Sequence, residues 1–173
     1  MVSNYKQENV ISKASLVRIL VVDDFAPWRQ FVVKKLQEHR SLQIIAFASE
    51  GLDAVQKAEE LQPDLILLDV GLPKLNGIEV ARQILELVPK CRILFVSQNL
   101  DPDVARYALS AGAGGFVVKS DAEGELLAAV KAVMLGMQYV SRKLAGSVFA
   151  DIQGCTILRP LPSQGRCRKR VGC

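Results

Sequence analysis

Val17-Arg-Ile-Leu-Val-Val-Asp-Asp24 runs a Val/Ile/Leu-rich segment straight into two adjacent carboxylates, and Leu65-Ile-Leu-Leu-Asp69 repeats the pattern with one. These runs are continuously apolar instead of alternating, which is how parallel strands covered on both faces read. Working outward, strand-length runs return at Leu42 to Phe47, Ile93 to Val96 and Phe116 to Val118. Helical spacing fills the intervals. Trp28, Phe31, Val32 and Leu36 mark the first helix, and Leu52, Val55 and Ala58 lead to Leu61 ahead of Pro63 in the second. Ile78, Ala81, Leu85 and Val88 mark the third, Val104 to Leu109 the fourth, and Leu126 to Leu135 the fifth. Five strand-then-helix units predict an α/β fold: a doubly wound five-stranded parallel sheet with helices on both faces.

Local signals agree. Asp101-Pro102 offers an N-cap ahead of a proline at the first helical position. Ser120 with Glu123 has capping-box spacing for the last helix. Gly112 reads as a helix stop, Gly114 and Gly115 as places where backbones pass closely, and Asn76-Gly77 as a turn.

The chain of 173 residues has room for one domain with a real core. No apolar run approaches the ~20 residues that span a bilayer, so no membrane partner is expected. Residues 1–15 lack a secretory pattern and read as a disordered leader, with the cytoplasm as the expected location. The formal charge of +4 is unevenly spread. Residues 1–141 carry 15 basic against 17 acidic side chains, a net of −2, and residues 142–173 carry seven against one, a net of +6. The expected division is therefore a folded body over 16–143 and a basic Gly/Pro/Cys-containing tail over 144–173, read as disordered. Cys155, Cys167 and Cys173 sit in that tail without Cys-x-x-Cys spacing, and His39 is the lone histidine, which argues against a zinc site.

The notable polar residues fall where strands end. Asp23 and Asp24 follow the first run, Asp69 the third, Ser97 the fourth and Lys119 the fifth. In such sheets ligands bind beyond the carboxyl ends of the strands. Three carboxylates converging there repel one another unless a hard divalent cation sits among them, and an all-oxygen set without His or Cys suits Mg²⁺. A lysine and a hydroxyl beside them complete a site for a small oxyanion, in which an Asp can act as an acyl-phosphate nucleophile. Taken singly, each residue has a bland explanation as an N-cap, a turn residue or a surface lysine. Their coincidence at one sheet edge does not.

The segments Arg18 to Asp24, Pro63 to Pro73 with Asn76-Gly77, Ile93 to Ser97 and Ala111 to Ser120 together resemble a receiver domain of two-component response regulators, over about residues 16–143. The likeness is to the LuxR/NarL-type subclass, and it implies a flavodoxin-like fold. It further implies that Asp69 is the phosphoacceptor, that Asp24 binds Mg²⁺ directly, and that Asp23 acts through a metal-bound water. The Gly71 carbonyl would be the third protein ligand. Ser97 is the switch hydroxyl and Lys119 pairs with the phosphoryl group. Phe116 takes the switch-aromatic position without a hydroxyl, and a plain core role explains it equally. Gln98 would narrow access to Asp69, and Asn99 would offer an amide near an attacking water. The implied donor is a sensor histidine kinase, and the implied chemistry is confined to the protein's own phosphorylation and dephosphorylation. Trp28 is expected near the acidic pair, as a fluorescent reporter of the metal.

The subclass normally continues into a DNA-binding helix-turn-helix, which the residues after Lys143 do not resemble. Three accounts of output follow. The preferred one is a phosphorylation-gated surface over helix four, strand five and helix five that binds a partner protein or forms a homodimer. The second is a truncated remnant of a DNA-binding transcription regulator. The third is weak nucleic-acid contact through Arg166, Arg168, Lys169 and Arg170, which lack interleaved aromatics. A phosphate-independent interaction module would be expected to lose a member of the acidic pair, the acceptor Asp or the lysine, and this sequence keeps them all.

Overall fold

The computed structural model describes residues 16–149 and the backbone of residues 159 and 160. The leader at 1–15, the tail cysteines and the cluster Arg166, Arg168, Lys169 and Arg170 lie outside the described residues.

Strands β1 (Val17–Val22), β2 (Leu42–Ala48), β3 (Leu65–Asp69), β4 (Arg92–Ser97) and β5 (Gly115–Val118) alternate with helices α1 (Ala26–Leu36), α2 (Gly51–Leu61), α3 (Gly77–Leu87), α4 (Pro102–Ser110) and α5 (Ala122–Met134). Pairing is parallel in the order β2-β1-β3-β4-β5. Successive side chains of each strand go to opposite faces, and both faces are covered. Leu20, Val22, Ile66, Leu68, Phe95 and Phe116 pack under α2, α3 and α4, through residues such as Ala54, Ala58, Ile84, Ala105 and Ala108. Ile19, Val21, Leu65, Leu67, Val96 and Val117 pack under α1 and α5, through Val32, Leu36, Leu126, Val130 and Val133. Burial on both faces leaves no polar positions inside the central strands, and β3 is buried throughout.

The sheet is wider than the sequence reading. A sixth parallel strand, β6 (Met137–Val140), pairs Tyr139 with Gly115 and Val140 with Phe116. A two-residue strand β7 (Arg159–Pro160) pairs antiparallel with β6. The boundary expected at 143 is also corrected: helix α6 (Arg142–Val148) runs through it, with Leu144 and Val148 buried against the α4 side of the core. Gly115 lets β6 approach. A Cβ there would lie 2.7 Å from the Tyr139 carbonyl oxygen, closer than atoms tolerate.

The helix start read at Asp101 is there: its carboxylate accepts the Asp103 N–H at 2.9 Å. Asn76, read as a turn residue, instead caps α3, its side-chain oxygen accepting the Ile78 N–H at 2.8 Å. The Ser120–Glu123 capping box does not form. A 3₁₀ turn over Lys119–Asp121 precedes α5, and the Ser120 hydroxyl bonds the Asp121 carboxylate instead.

Candidate functional site

Because β1, β3 and β4 lie in register, with Val22 beside Leu68 and Asp69 beside Val96, the residues that follow them arrive at one edge. Asp23, Asp24 and Asp69 each place a carboxylate oxygen within 4.8 Å of the others. Asp23 is 1% and Asp69 8% exposed, so two of the three negative charges are largely removed from water. Lys119, at the end of β5, sets its Nζ 2.6 Å from Asp23 Oδ2 and 3.3 Å from Asp69 Oδ2. One cation against three carboxylates leaves the cluster two charges negative.

The surroundings hold this set in place. Asp23 Oδ1 accepts the Phe25 N–H at 2.9 Å, and the Arg29 guanidinium donates to the Asp23 carbonyl at 2.5 Å. Asp23 Oδ2 is buried without a hydrogen bond of its own; the nearby ammonium supplies charge but not the angle. The Ser97 hydroxyl accepts the Asn99 N–H at 3.0 Å and so is tied to its own loop. Asp24, Phe25, Asp69, Gly71, Ser97, Gln98, Asn99 and Lys119 line one cleft of about 430 Å³. Of the site residues singled out from the sequence that lie within the described residues, all line it except Asp23 and Phe116. The Phe116 ring is fully buried, 6.5 Å from that of Phe95, on the α4 side of the sheet. Asn99 Oδ1 is already engaged by the Asp101 N–H, and Gly71 leaves the flank of Asp69 open, with no other atom within 4 Å of where its Cβ would stand.

Two contributors escaped the sequence reading. Arg29 gave no signal beyond being a polar residue of α1. Trp28 was placed near the acidic pair, but its contact with the lysine was not foreseen. Its ring lies 5.3 Å from Lys119 Nζ and stacks on Phe31 at 4.9 Å, giving the ammonium an aromatic wall.

Burial raises the Asp69 pKa above its ordinary 3.8, and neighbouring Asp23 adds to the rise, while Lys119 and the Gly71 N–H oppose it. A raised carboxyl pKa means the folded state holds its proton to higher pH than the unfolded chain does. Stability is therefore lost as pH climbs from 3.8 through the folded value, and the penalty is complete above it. Asp69→Asn removes the charge. With EDTA present, its melting temperature is expected to exceed wild type at pH 7, and the gap to close toward pH 3.5, as read by circular dichroism. A gap independent of pH would contradict this assignment.

The sequence profile of the response regulator receiver domain matches residues 19–131. The chain is 36% identical over 122 residues to the virulence factors putative positive transcription regulator BvgA of Bordetella pertussis, covering 70% of this chain and 58% of that one. It is 32% identical over 130 residues to the response regulator GacA of Pseudomonas viridiflava, covering 75% and 61%. A LuxR-family two-component response regulator from Aurantimonas superposes with a TM-score of 0.74 at 29% identity, covering 79% of this chain and 98% of that one. The signal receiver domain of NarL from Mycobacterium tuberculosis gives 0.65 at 31%, covering 70% and 98%. The chain belongs to the response regulator receiver family, and its relatives are LuxR/NarL-type regulators. It spans about three fifths of the length of the curated relatives it matches. Among the described residues no helix is long and apolar enough to cross a membrane.

Proposed function

We propose that the protein is a two-component signalling receiver that takes a phosphoryl group onto Asp69 from a phosphohistidine of a sensor histidine kinase in the cytoplasm. The observation that carries this reading is the position of Lys119 Nζ between Asp23 and Asp69, beside three carboxylates that share one small space. An Asp69 oxygen forms the bond to phosphorus as the donor's N–P bond breaks. Lys119 then turns from Asp23 toward the new phosphoryl oxygens, and the Ser97 hydroxyl leaves the Asn99 N–H to donate to another.

The residues fit Mg²⁺. The donors are all oxygens, the cluster is two charges short, and Asp23 Oδ2 is a buried acceptor without a hydrogen bond. Asp24 and Asp69 would hold the ion directly with the Gly71 carbonyl, and Asp23 through water. When bound, it supplies positive charge against the oxygens of the group in transfer. The protein then catalyses only its own phosphorylation and dephosphorylation. Output runs through the α4–β5–α5 face, toward a partner protein or a second copy. Control of transcription, which the Bordetella relative carries in its name, is the proposed purpose.

Incubation with acetyl phosphate and Mg²⁺ is expected to add one phosphoryl group, seen by mass and removed by hydroxylamine. Chelation of the metal is expected to stop it. In Asp24→Ala, Mg²⁺ binding followed by Trp28 fluorescence is expected to weaken by at least about ten-fold, the loss of one charged ligand costing over about 1.4 kcal/mol. Incorporation that ignores chelation, or wild-type metal affinity in Asp24→Ala, contradicts the reading.

A further inference from the structure

The α4–β5–α5 face is not bare in this chain. Strand β6 covers the edge of β5, and α6 packs beside α4, with the Arg106 guanidinium donating to the Ser147 carbonyl. The join between β6 and α6 is Ser141, which is wholly buried. Its N–H donates to the Phe116 carbonyl at 2.9 Å, and its hydroxyl oxygen accepts the Val118 N–H at 2.9 Å. The ladder to β6 ends at Phe116, so Ser141 supplies the bond that β6 no longer can. A serine opening a helix ordinarily turns its hydroxyl onto that helix's own first amides. Here the hydroxyl makes no such cap, and the α6 amide of Arg142 lies 3.4 Å from a Glu125 carboxylate oxygen of α5 instead. The hydroxyl is committed to β5.

Val118 is the residue immediately before Lys119. A side chain in the first turn of α6 holds the residues that follow the same lysine: Lys143 Nζ pairs with the Asp121 carboxylate and stands 3.3 Å from the Ser120 hydroxyl. The backbone on either side of Lys119 is therefore held, before it by Ser141 and after it by Lys143. Both holds come from the start of α6.

From this geometry we propose that Ser141 is a positioning residue for phosphoryl capture, and that through it the occupied state of the Asp69 site and the docked state of α6 stabilise each other. The inference rests on Asp69 being the phosphoacceptor. The ammonium of Lys119 must meet oxygens that arrive beside Asp69, and its aim is set by the backbone at Val118 and by the turn that follows. Freeing the Val118 N–H lets that backbone drift, and the same hydroxyl then no longer holds the start of α6. By linkage, the coupling acts equally in the other direction. A phosphoryl group that holds Lys119 inward also holds α6 against the sheet. The signal thereby reaches the segment that follows α6.

The test uses the full chain, Mg²⁺ and beryllofluoride as the phosphoryl mimic, with binding followed by Trp28 fluorescence and α6 followed by amide hydrogen exchange. Ser141→Ala is expected to bind the mimic about ten-fold more weakly at a temperature where it is fully folded, a size within the usual range of site-to-site coupling. In the wild type, the mimic is expected to slow exchange of the Leu144 and Ala145 amides, which both donate to the Ser141 carbonyl. If Ser141→Ala does not fold, Lys143→Ala takes its place, since that side chain is more than half exposed and its loss leaves the core untouched. A residue that merely holds the fold would lower the melting temperature and leave both quantities alone. Wild-type mimic affinity in the folded variant, or α6 exchange that ignores the mimic, overturns the proposal while the phosphoacceptor reading stands. A wild type that binds no mimic overturns the phosphoacceptor reading and takes the proposal with it.

Discussion

Treated with acetyl phosphate and Mg²⁺, Asp69→Ala gains no phosphoryl group under conditions in which the wild-type chain gains one. The expectation is all-or-none because no neighbour can substitute. Asp23 lies 2.6 Å from Lys119 Nζ, but it is 1% exposed and does not line the cleft. A donor cannot reach it in line. Asp24 is exposed, yet it forms no ion pair with Lys119, and in the proposed reading it is a metal ligand. The Ser97 hydroxyl is held by the Asn99 N–H, and among the described residues it donates to no base that could take its proton. Asp69 alone combines a place on the cleft wall, a flank left open by Gly71 and a lysine at 3.3 Å. The measurement is intact mass, with hydroxylamine lability to distinguish an acyl phosphate from a phosphoserine. A stable increment in Asp69→Ala would move the nucleophile elsewhere.

Much of this site was legible because it depends on strand ends. A continuous apolar run fixes where a parallel strand lies, and in a doubly wound sheet the residue after the run must emerge at the ligand-binding edge. That logic located Asp23, Asp24, Asp69, Ser97 and Lys119 from the sequence. It had no purchase on β6. Met137-Gln-Tyr-Val140 is only four residues long and is broken by Gln138, and it is held by two pairings with β5 and by packing of Tyr139 on the α1/α5 side. Short strands of that kind are specified by what they dock on. The same holds for α6, whose seven residues include Gly146 and Ser147, so that tertiary contacts of Leu144 and Val148 carry it. Placing the domain boundary at 143 followed from composition, which registers the rise in basic residues and not the two apolar anchors among them. The failed capping box has a similar cause: Lys143 claims the Ser120–Asp121 turn from outside α5, so local spacing lost to a long-range ion pair.

Phe116 is where core and switch readings of one residue give opposite expectations. Its ring is fully buried among apolar side chains, close to Phe95 and in the same cluster as Ala105, Ala108 and Leu144. Helix α6 packs against α4 and β6 and adds Leu144 and Val148 to the same cluster, so an outward swing of the ring would disrupt packing that this helix shares. Phe116→Ala is therefore expected to lose about 3–5 kcal/mol, the usual cost of truncating a buried aromatic. Domains of this size are stable by only about 5–15 kcal/mol, so the variant should sit near the edge of folding at 37 °C. Phe116→Tyr separates the two readings. A ring that turns outward carries the added hydroxyl into water at no cost, and this variant would then match wild type. A ring confined to the core buries the hydroxyl without a partner, which costs about 1–3 kcal/mol. The second outcome is expected, because the ring is fully buried among apolar side chains and the neighbouring Ser141 hydroxyl is already committed to the Val118 N–H. Urea denaturation of the three proteins at pH 7 measures both differences. Wild-type stability of Phe116→Tyr, with Phe116→Ala also losing less than about 1 kcal/mol, would show that the ring is not a core element and return it to the switch.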